Sequence, residues 1–283
     1  MSVAARIDGA TGVEERLEHL VGPRGLLYSW SAWPQGANSL VVICSSVLGD
    51  FVSNYHRERQ LGRDLAAHGH GVIRFHYTGE GNSQGDRRDM TFESMCADAE
   101  AVLTISASMG YSKLGVVGTR VGALVAAAVV ANSPQVPLAL WEPVTDPARF
   151  IQEAGRVRKM SRLTQEQSIA APSWREELAK HQVLDILGYD LYPAFVESLG
   201  NVDLLTLLGT STRKLLVARF GSAADSLASL AANLRDRGFQ VTTGSFGSQE
   251  AWWLDKETVA DSANLITATT KWLTDVLESE KRP

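Results

Sequence analysis

Apolar residues in the first 145 positions fall into short solid runs separated by longer mixed segments. Positions 40–44, Leu-Val-Val-Ile-Cys, are apolar throughout, the pattern of a strand buried on both faces of a parallel sheet. Positions 114–117 and 137–141 are similar short runs, and 72–77, interrupted by Arg74 and His76, reads as a strand as well. Between them, 55–68 mixes apolar residues with Arg, Glu and Gln, as an amphipathic helix does. Positions 91–109 predict a second helix, with Thr91 as its N-cap, or Ser94 if the helix starts a turn later. Positions 121–131 are small, apolar and rich in helix formers, a third helix that is buried all round. Ahead of these, 13–20 and 24–33 read as an antiparallel hairpin across Gly22-Pro23. Strand and helix in alternation predict an α/β chain with a mostly parallel, doubly wound sheet.

The rhythm breaks in the middle. From Asp146 to about Asp203 the pattern is polar and helical with no strand alternation, broken at Pro172 and Pro193. Arg156, Arg158, Lys159 and Arg162 bunch there, which ordinarily makes a solvated face. Positions 213–220 restore a buried strand, 223–237 form a helix closed by Gly238, and 239–246 and 256–278 read as a last strand and helix. The expected organisation is a core from 1–145 and 206–283 with a helical cap inserted at 146–205.

Composition narrows the function classes. The chain has 283 residues, 45% hydrophobic and 21% charged, with a net charge of −5, so neither nucleic acid nor an anionic membrane is an expected partner. Cys44 and Cys96 stand far apart without metal spacing, and free thiols in a reducing cytoplasm are the plain expectation. Positions 1–13 lack the apolar core of a signal peptide, and no run approaches the ~20 apolar residues of a membrane span. No metal-ligand cluster, P-loop or dinucleotide fingerprint occurs, so no metal and no cofactor is expected.

One stretch carries the chemistry. Leu114 to Val117 is a strand, Val121 onward a buried helix, and Gly118-Thr119-Arg120-Val121-Gly122 joins them. Strand, tight glycine-flanked turn and helix are the setting of a nucleophile elbow, whose central residue should be Ser, Cys or Asp. Here it is Arg120. Together with Val41–Cys44 followed by Leu48-Gly-Asp50, Asn54-Tyr55, Gly71–Phe75, Gly79-Glu-Gly-Asn-Ser83 and Leu140-Trp-Glu-Pro-Val-Thr-Asp146, this stretch resembles the α/β-hydrolase superfamily in its serine-aminopeptidase-like and dienelactone-hydrolase-like branch. It is similar more narrowly to the exosortase A system-associated hydrolases of type 2, whose pattern carries arginine at the elbow, a Leu-Trp-x-Pro-Val strand end and a Gly-Tyr-x-Leu-x-Pro-Ala stretch, here Gly188 to Ala194.

The resemblance implies an α/β-hydrolase fold with a Ser-His-Asp triad, and the residues depart from it. Guanidinium stays protonated and cannot attack a carbonyl. The base should follow the last strand, yet no histidine occurs after His181, and Trp252 and Trp253 occupy that region as a wall of the pocket or as core. Asp225 falls where the acid would stand, unless it merely favours a helix N-terminus. By position in the family pattern, the N–H groups of Val47 and Val121 form the oxyanion hole. Arg120 at a helix N-terminus predicts either an anion site or an internal ion pair, with Glu142 the expected partner. Glu142 can also serve as a base. His76 ties down the glycine turn or moves a proton, and Ser45 or Ser46 would be a relocated nucleophile without an obvious base. The leading expectation is a non-hydrolytic epimerase, cyclase or lyase, stabilising an enolate or carboxylate of an anionic small-molecule or peptide-derived substrate in biosynthesis. A catalytically inactive pseudo-hydrolase with a binding or accessory role, and a hydrolase with a relocated nucleophile, are the alternatives. If the chain associates with itself, a homodimer is the expected form.

Overall fold

A computed structural model describes residues 4–164, 173–186, 188–220, 224–246 and 262–279. Its sheet runs in the order β1 (Ala4–Ile7), β2 (Glu14–Gly22), β3 (Gly25–Trp33), β5 (Gly71–Phe75), β4 (Ser39–Cys44), β6 (Lys113–Thr119), β7 (Leu138–Trp141), β10 (Lys214–Phe220) and β11 (Gln240–Phe246). The six strands from β5 to β11 are parallel, while β1, β2 and β3 pair antiparallel at one edge. This is the expected α/β-hydrolase architecture. The hairpin stands where the pattern put it, turning at Pro23-Arg24, and β1 is an extra edge strand, four residues long, that the pattern did not announce.

Successive side chains of β4 alternate between two cores, as the pleat requires. Val41 and Ile43 face α1 (Gly49–Ala67) and α9 (Ser262–Ser279), through Leu61, Leu65, Leu265 and Leu273. Leu40, Val42 and Cys44 face α2 (Phe92–Ser108), α3 (Val121–Val129) and α8 (Ala224–Asp236), through Met95, Val102, Leu124 and Leu234. Each fully buried Leu or Val contributes on the order of 1.5–3 kcal/mol, and that burial holds the helices on both faces. Thr91 is the N-cap of α2, in a capping box with Ser94. Both cysteines are free; burial pushes the Cys44 thiol up and the half-buried Cys96 thiol to about 12.

Two expectations need correction. Helix α1 begins at Gly49, six residues before the expected start, which moves Asp50 from a loop into a helical first turn. The middle segment is not strand-free. It holds α4 (Pro147–Thr164), α5 (Trp174–His181), α6 (Pro193–Gly200) and α7 (Leu204–Leu208). It also holds an antiparallel hairpin, β8 (Leu184–Ile186) with β9 (Tyr189–Leu191). Each strand is three residues long, too short for alternation to stand out, although Leu184, Ile186 and Leu191 are buried and Asp185 and Asp190 exposed. The guanidinium of Arg87 stacks on Tyr189 at 5.2 Å, and Phe92 N–H donates to Ser198 Oγ at 2.9 Å, which ties this segment to the start of α2. In the basic cluster Arg156 is exposed; the side chains of Arg158, Lys159 and Arg162 lie outside the described residues. Among the described residues no helix is long and apolar enough to cross a membrane, and no group of His, Cys, Asp and Glu could hold a metal.

Candidate functional site

Among the described residues four non-glycine residues have positive φ, and three of them lie together at the C-terminal edge of the parallel sheet. They are Leu48 after β4, Arg120 after β6 and Glu142 after β7, at φ 57°, 55° and 43°. Such backbone costs about 1–3 kcal/mol per residue and persists where its surroundings hold it. At the β6–α3 turn the holding is explicit. Arg120 N–H donates to Trp141 O at 2.9 Å, and Arg120 O accepts from Ala123 N–H at 3.1 Å. A Cβ on Gly122 would lie 2.3 Å from Cys44 O, and one on Gly118 would lie 2.5 Å from Ala123 Cα. Only glycine lets β4, β6 and α3 approach this closely. The turn is an elbow, and its apex is a buried arginine with φ 55° and ψ −118°.

Arg120 meets a carboxylate that the sequence did not single out. Arg120 Nε donates to Asp50 Oδ2 at 2.8 Å, across from the first turn of α1, and the guanidinium sits over Phe150 at 5.6 Å. Asp50 is buried; desolvation raises its pKa and the Arg120 charge holds that rise in check. Glu142 and Arg120 both line the wall of a cavity with a volume of about 550 Å³. Arg149 and Arg219 bring two more guanidinium groups to that wall, and Asp146 and Glu153 two more carboxylates. Among the described residues of that wall, three cations face three anions, and Arg149 is bonded to Glu153 at 3.0 Å. The start of α4 closes one side of the cavity, with Asp146 capping that helix by accepting from Arg149 N–H at 2.9 Å.

The remaining expected residues separate. Ser45 and Ser46 are fully buried and do not line this cavity. Ser45 Oγ donates to Phe75 O at 3.4 Å, and Ser46 Oγ to Asp50 O at 2.9 Å, so each hydroxyl has a structural bond. Among the described residues no backbone carbonyl takes the N–H of Val47 or of Val121. His76 is buried with both ring nitrogens facing donors, Arg74 Nη1 at 3.1 Å from Nε2 and Asn82 N–H at 3.2 Å from Nδ1. Neutral imidazole accepts at one nitrogen only, so only one contact is a hydrogen bond in either tautomer. Burial and the Arg74 charge lower its pKa to about 3. His76 stays neutral and packs on the glycine turn, where a Cβ on Gly81 would come within 2.3 Å of Nδ1. Asp225 falls in the first turn of α8, its side chain outside the described residues, as are Trp252 and Trp253.

A Ser–His contact does exist elsewhere. Ser39 Oγ and His70 Nδ1 are 2.7 Å apart, and His70 Nε2 lies 2.8 Å from Thr274 Oγ1. Both residues begin or precede strands at the opposite edge of the sheet and are buried, so the pair is a latch holding α9 to β4. Sequence reasoning missed Asp50. Its signal was an acidic residue two positions after Leu48, where a helix N-terminus would welcome it.

Comparison with solved structures gives the same fold at low identity. Est1E from Butyrivibrio proteoclasticus with ferulic acid bound superposes with a TM-score of 0.69 at 12% identity, over 92% of this chain and 99% of that one. The Pyrococcus furiosus esterase PF2001 gives 0.63 at 13% identity, over 95% and 93%. Proline iminopeptidase from Mycobacterium smegmatis gives 0.61 at 14%, over 94% and 100%. No curated protein matches the sequence. Residues 38–184, from the start of β4 through the elbow and into the inserted segment, match the family described as serine aminopeptidase, S33, and the chain belongs to that family of α/β-hydrolases.

Proposed function

We propose that this chain is a member of the family that does not hydrolyse its substrate and instead stabilises an enolate or carboxylate on a small-molecule or peptide-derived ligand. The observation that carries this reading is the buried Arg120 at the apex of the elbow, in the wall of a cavity of about 550 Å³. Serine chemistry there would need a hydroxyl and an imidazole, and the chain has an arginine at the apex and no histidine after His181. What supports a reaction is the acid beside it. Glu142 would take the proton from the carbon next to a carbonyl, and the electron pair would move onto the carbonyl oxygen. That oxyanion would be met by Arg120 and by the N–H groups of Val47 and Val121. Protonation of the enolate on its other face by a cavity water, with Glu142 giving up its proton to solvent, gives epimerisation, and loss of a leaving group gives elimination.

One observation favours a second reading, a pseudo-hydrolase with a binding or accessory role: Asp50 already neutralises Arg120 from inside. Ferulate, the acid held by Est1E, is a suitable carboxylate probe. Calorimetric titration would compare the native protein with Arg120→Ala, Glu142→Gln and the double variant. A charge-assisted bond is worth about 1.5–3 kcal/mol, so Arg120→Ala is expected to weaken ferulate more than tenfold. Equal affinities in all four proteins would leave only the second reading. Hydrolysis of p-nitrophenyl acetate is expected to stay at background; turnover lost in Ser45→Ala or Ser46→Ala would overturn both.

A further inference from the structure

The loop from Ser45 to Leu48 carries Val47, the residue whose N–H the proposed function uses, and it is held by carboxylates on both sides. Glu58, on α1, is fully buried. Its Oε1 accepts from Ser46 N–H at 3.2 Å, and its Oε2 accepts from Arg74 Nε at 2.9 Å. Arg74 is boxed in turn: its guanidinium lies over Tyr55 at 4.4 Å and over Phe51 at 5.4 Å. On the far side of Val47, the N–H of Leu48 points at the buried carboxylate of Glu80, which Arg87 holds at 2.6 Å. Glu80 Oε2 has no hydrogen bond of full geometry among the described residues, so the tighter clamp is the one at Glu58.

From Ser46 the same network runs on to the arginine. Ser46 Oγ donates to Asp50 O at 2.9 Å, Asn54 Nδ2 donates to that carbonyl at 2.8 Å, and Asp50 Oδ2 takes Arg120 Nε at 2.8 Å. A buried carboxylate is costly unless every lone pair it turns inward is used. Glu58 meets that cost by joining strand β5, through Arg74, to the loop after β4. The Ser45–Leu48 loop has no strand ladder of its own to fix it, and Leu48 is held at φ 57°.

We propose that Glu58 is a positioning residue for this site: by fixing Ser46 it sets the direction of the Val47 N–H and, through Ser46 and Asp50, the place of the Arg120 guanidinium. This rests on the proposed function for its purpose, but the geometry it claims can be read without any ligand. The experiment is proton exchange by NMR on the full chain, following the Val47 amide and the Arg120 Nε–H in the native protein, Glu58→Gln and Ser46→Ala. Glu58→Gln is expected to speed exchange at both protons more than tenfold. Ser46→Ala, which removes only the hydroxyl link, should speed the Arg120 proton more than threefold and leave the Val47 amide within twofold. Amides of β10, across the sheet, serve as the control for general loosening and should not move. Exchange within twofold of native at both protons in Glu58→Gln would overturn the proposal, as would equal acceleration at β10. Should Glu58→Gln fail to fold, Glu58→Asp, whose shorter side chain cannot reach Ser46 N–H and Arg74 Nε together, takes its place with the same expected and overturning results. Ferulate affinity, measured separately, reports on the function and not on this arrangement.

Discussion

Breaking the Asp50–Arg120 pair from either side should cost far more than removing it whole. The two side chains are only 10% and 8% exposed, and Nε and Oδ2 are 2.8 Å apart. Asp50→Asn keeps an oxygen for Arg120 but removes the counter-charge, leaving a cation in a largely dry site. Loss of one partner of a buried pair costs roughly 3–5 kcal/mol. The polar cavity beside Arg120 lets water relieve part of this, so the lower end, about 3 kcal/mol, is expected. Arg120→Met removes the guanidinium and keeps an apolar stem against Phe150. Asp50 is then buried without the charge that restrained its upward shift. Its folded-state pKa exceeds the unfolded one, so this penalty is absent below about pH 4, where both states hold the proton. It grows as pH rises through the folded pKa. Arg120→Met is therefore expected to be most destabilised at neutral pH and nearly native-like in acid. The double variant, Asp50→Asn with Arg120→Met, carries no buried charge and should lie within about 1 kcal/mol of native. Urea unfolding followed by circular dichroism, at pH 7.5 and pH 4.5, gives all four corners of the cycle. Single variants that each cost under about 1 kcal/mol and add without coupling would mean the pair is solvated, and the reasoning from burial would be wrong.

His76, with a folded pKa of about 3 against an ordinary 6.5, contributes stability that is fully present above about pH 6.5 and is lost as pH falls toward 3. The ceiling is about 5 kcal/mol. His76→Asn keeps an acceptor for Asn82 N–H and should flatten the slope of unfolding free energy between pH 6.5 and 4.5; parallel slopes in the two proteins would exclude it. Buried Glu80 and Asp98 pull the opposite way, because burial raises both pKa values, and the native-minus-variant difference removes them from the comparison. Gly122→Ala would drive a methyl to 2.3 Å from Cys44 O and 2.4 Å from Ser45 O, backbone atoms that cannot swing aside. A loss of more than about 3 kcal/mol, or failure to fold, is expected from thermal unfolding and soluble yield; a variant within 1 kcal/mol of native would mean the elbow is looser than its geometry. Ser39→Ala removes the Nδ1 partner of His70 and should cost about 1–2 kcal/mol without changing ferulate affinity, since the latch lies at the other edge of the sheet.

The parts of this molecule legible in the sequence are those governed by one local rule. Leu40 to Ile43 is wholly apolar because both faces of β4 are covered, and the run announces itself. Gly118 and Gly122 can be read as an elbow because close approach admits no other residue there. The partner of Arg120 could not be read so simply, because two facts had to be known together. One was the strand order, which places the loop after β4 beside the apex at the end of β6, as it also places β7 with Glu142 on the other side. Strand order alone therefore left two carboxylates within range of one arginine. The other was that α1 begins at Gly49, so that Asp50 sits in its first turn, with its side chain directed across to Arg120. The segment 49–54 has Gly, Ser and Asn among its residues, a composition that reads as loop, and its first turn is held by side-chain bonds that the pattern does not show, one of them to Arg120, 70 residues on. Ser46 and Asn54 both bond Asp50 O, and Glu58 holds Ser46 through a carboxylate anchored on β5. The hairpin of β8 and β9 escaped for a related reason, since three-residue strands gain their stability from packing on neighbours more than from their own pattern. At the elbow, then, replacing the usual nucleophile with arginine could not be a change at one position. A cation buried at the N-terminus of α3 opposes the helix field. It is tolerated because a carboxylate from α1 meets it, and the backbone carbonyl of that residue accepts from Ser46 in the loop after β4, which Glu58 links to Arg74 on β5. The charge balance of the site therefore extends over several segments of chain, with Asp50 on α1 as well as Glu142 after β7 beside Arg120.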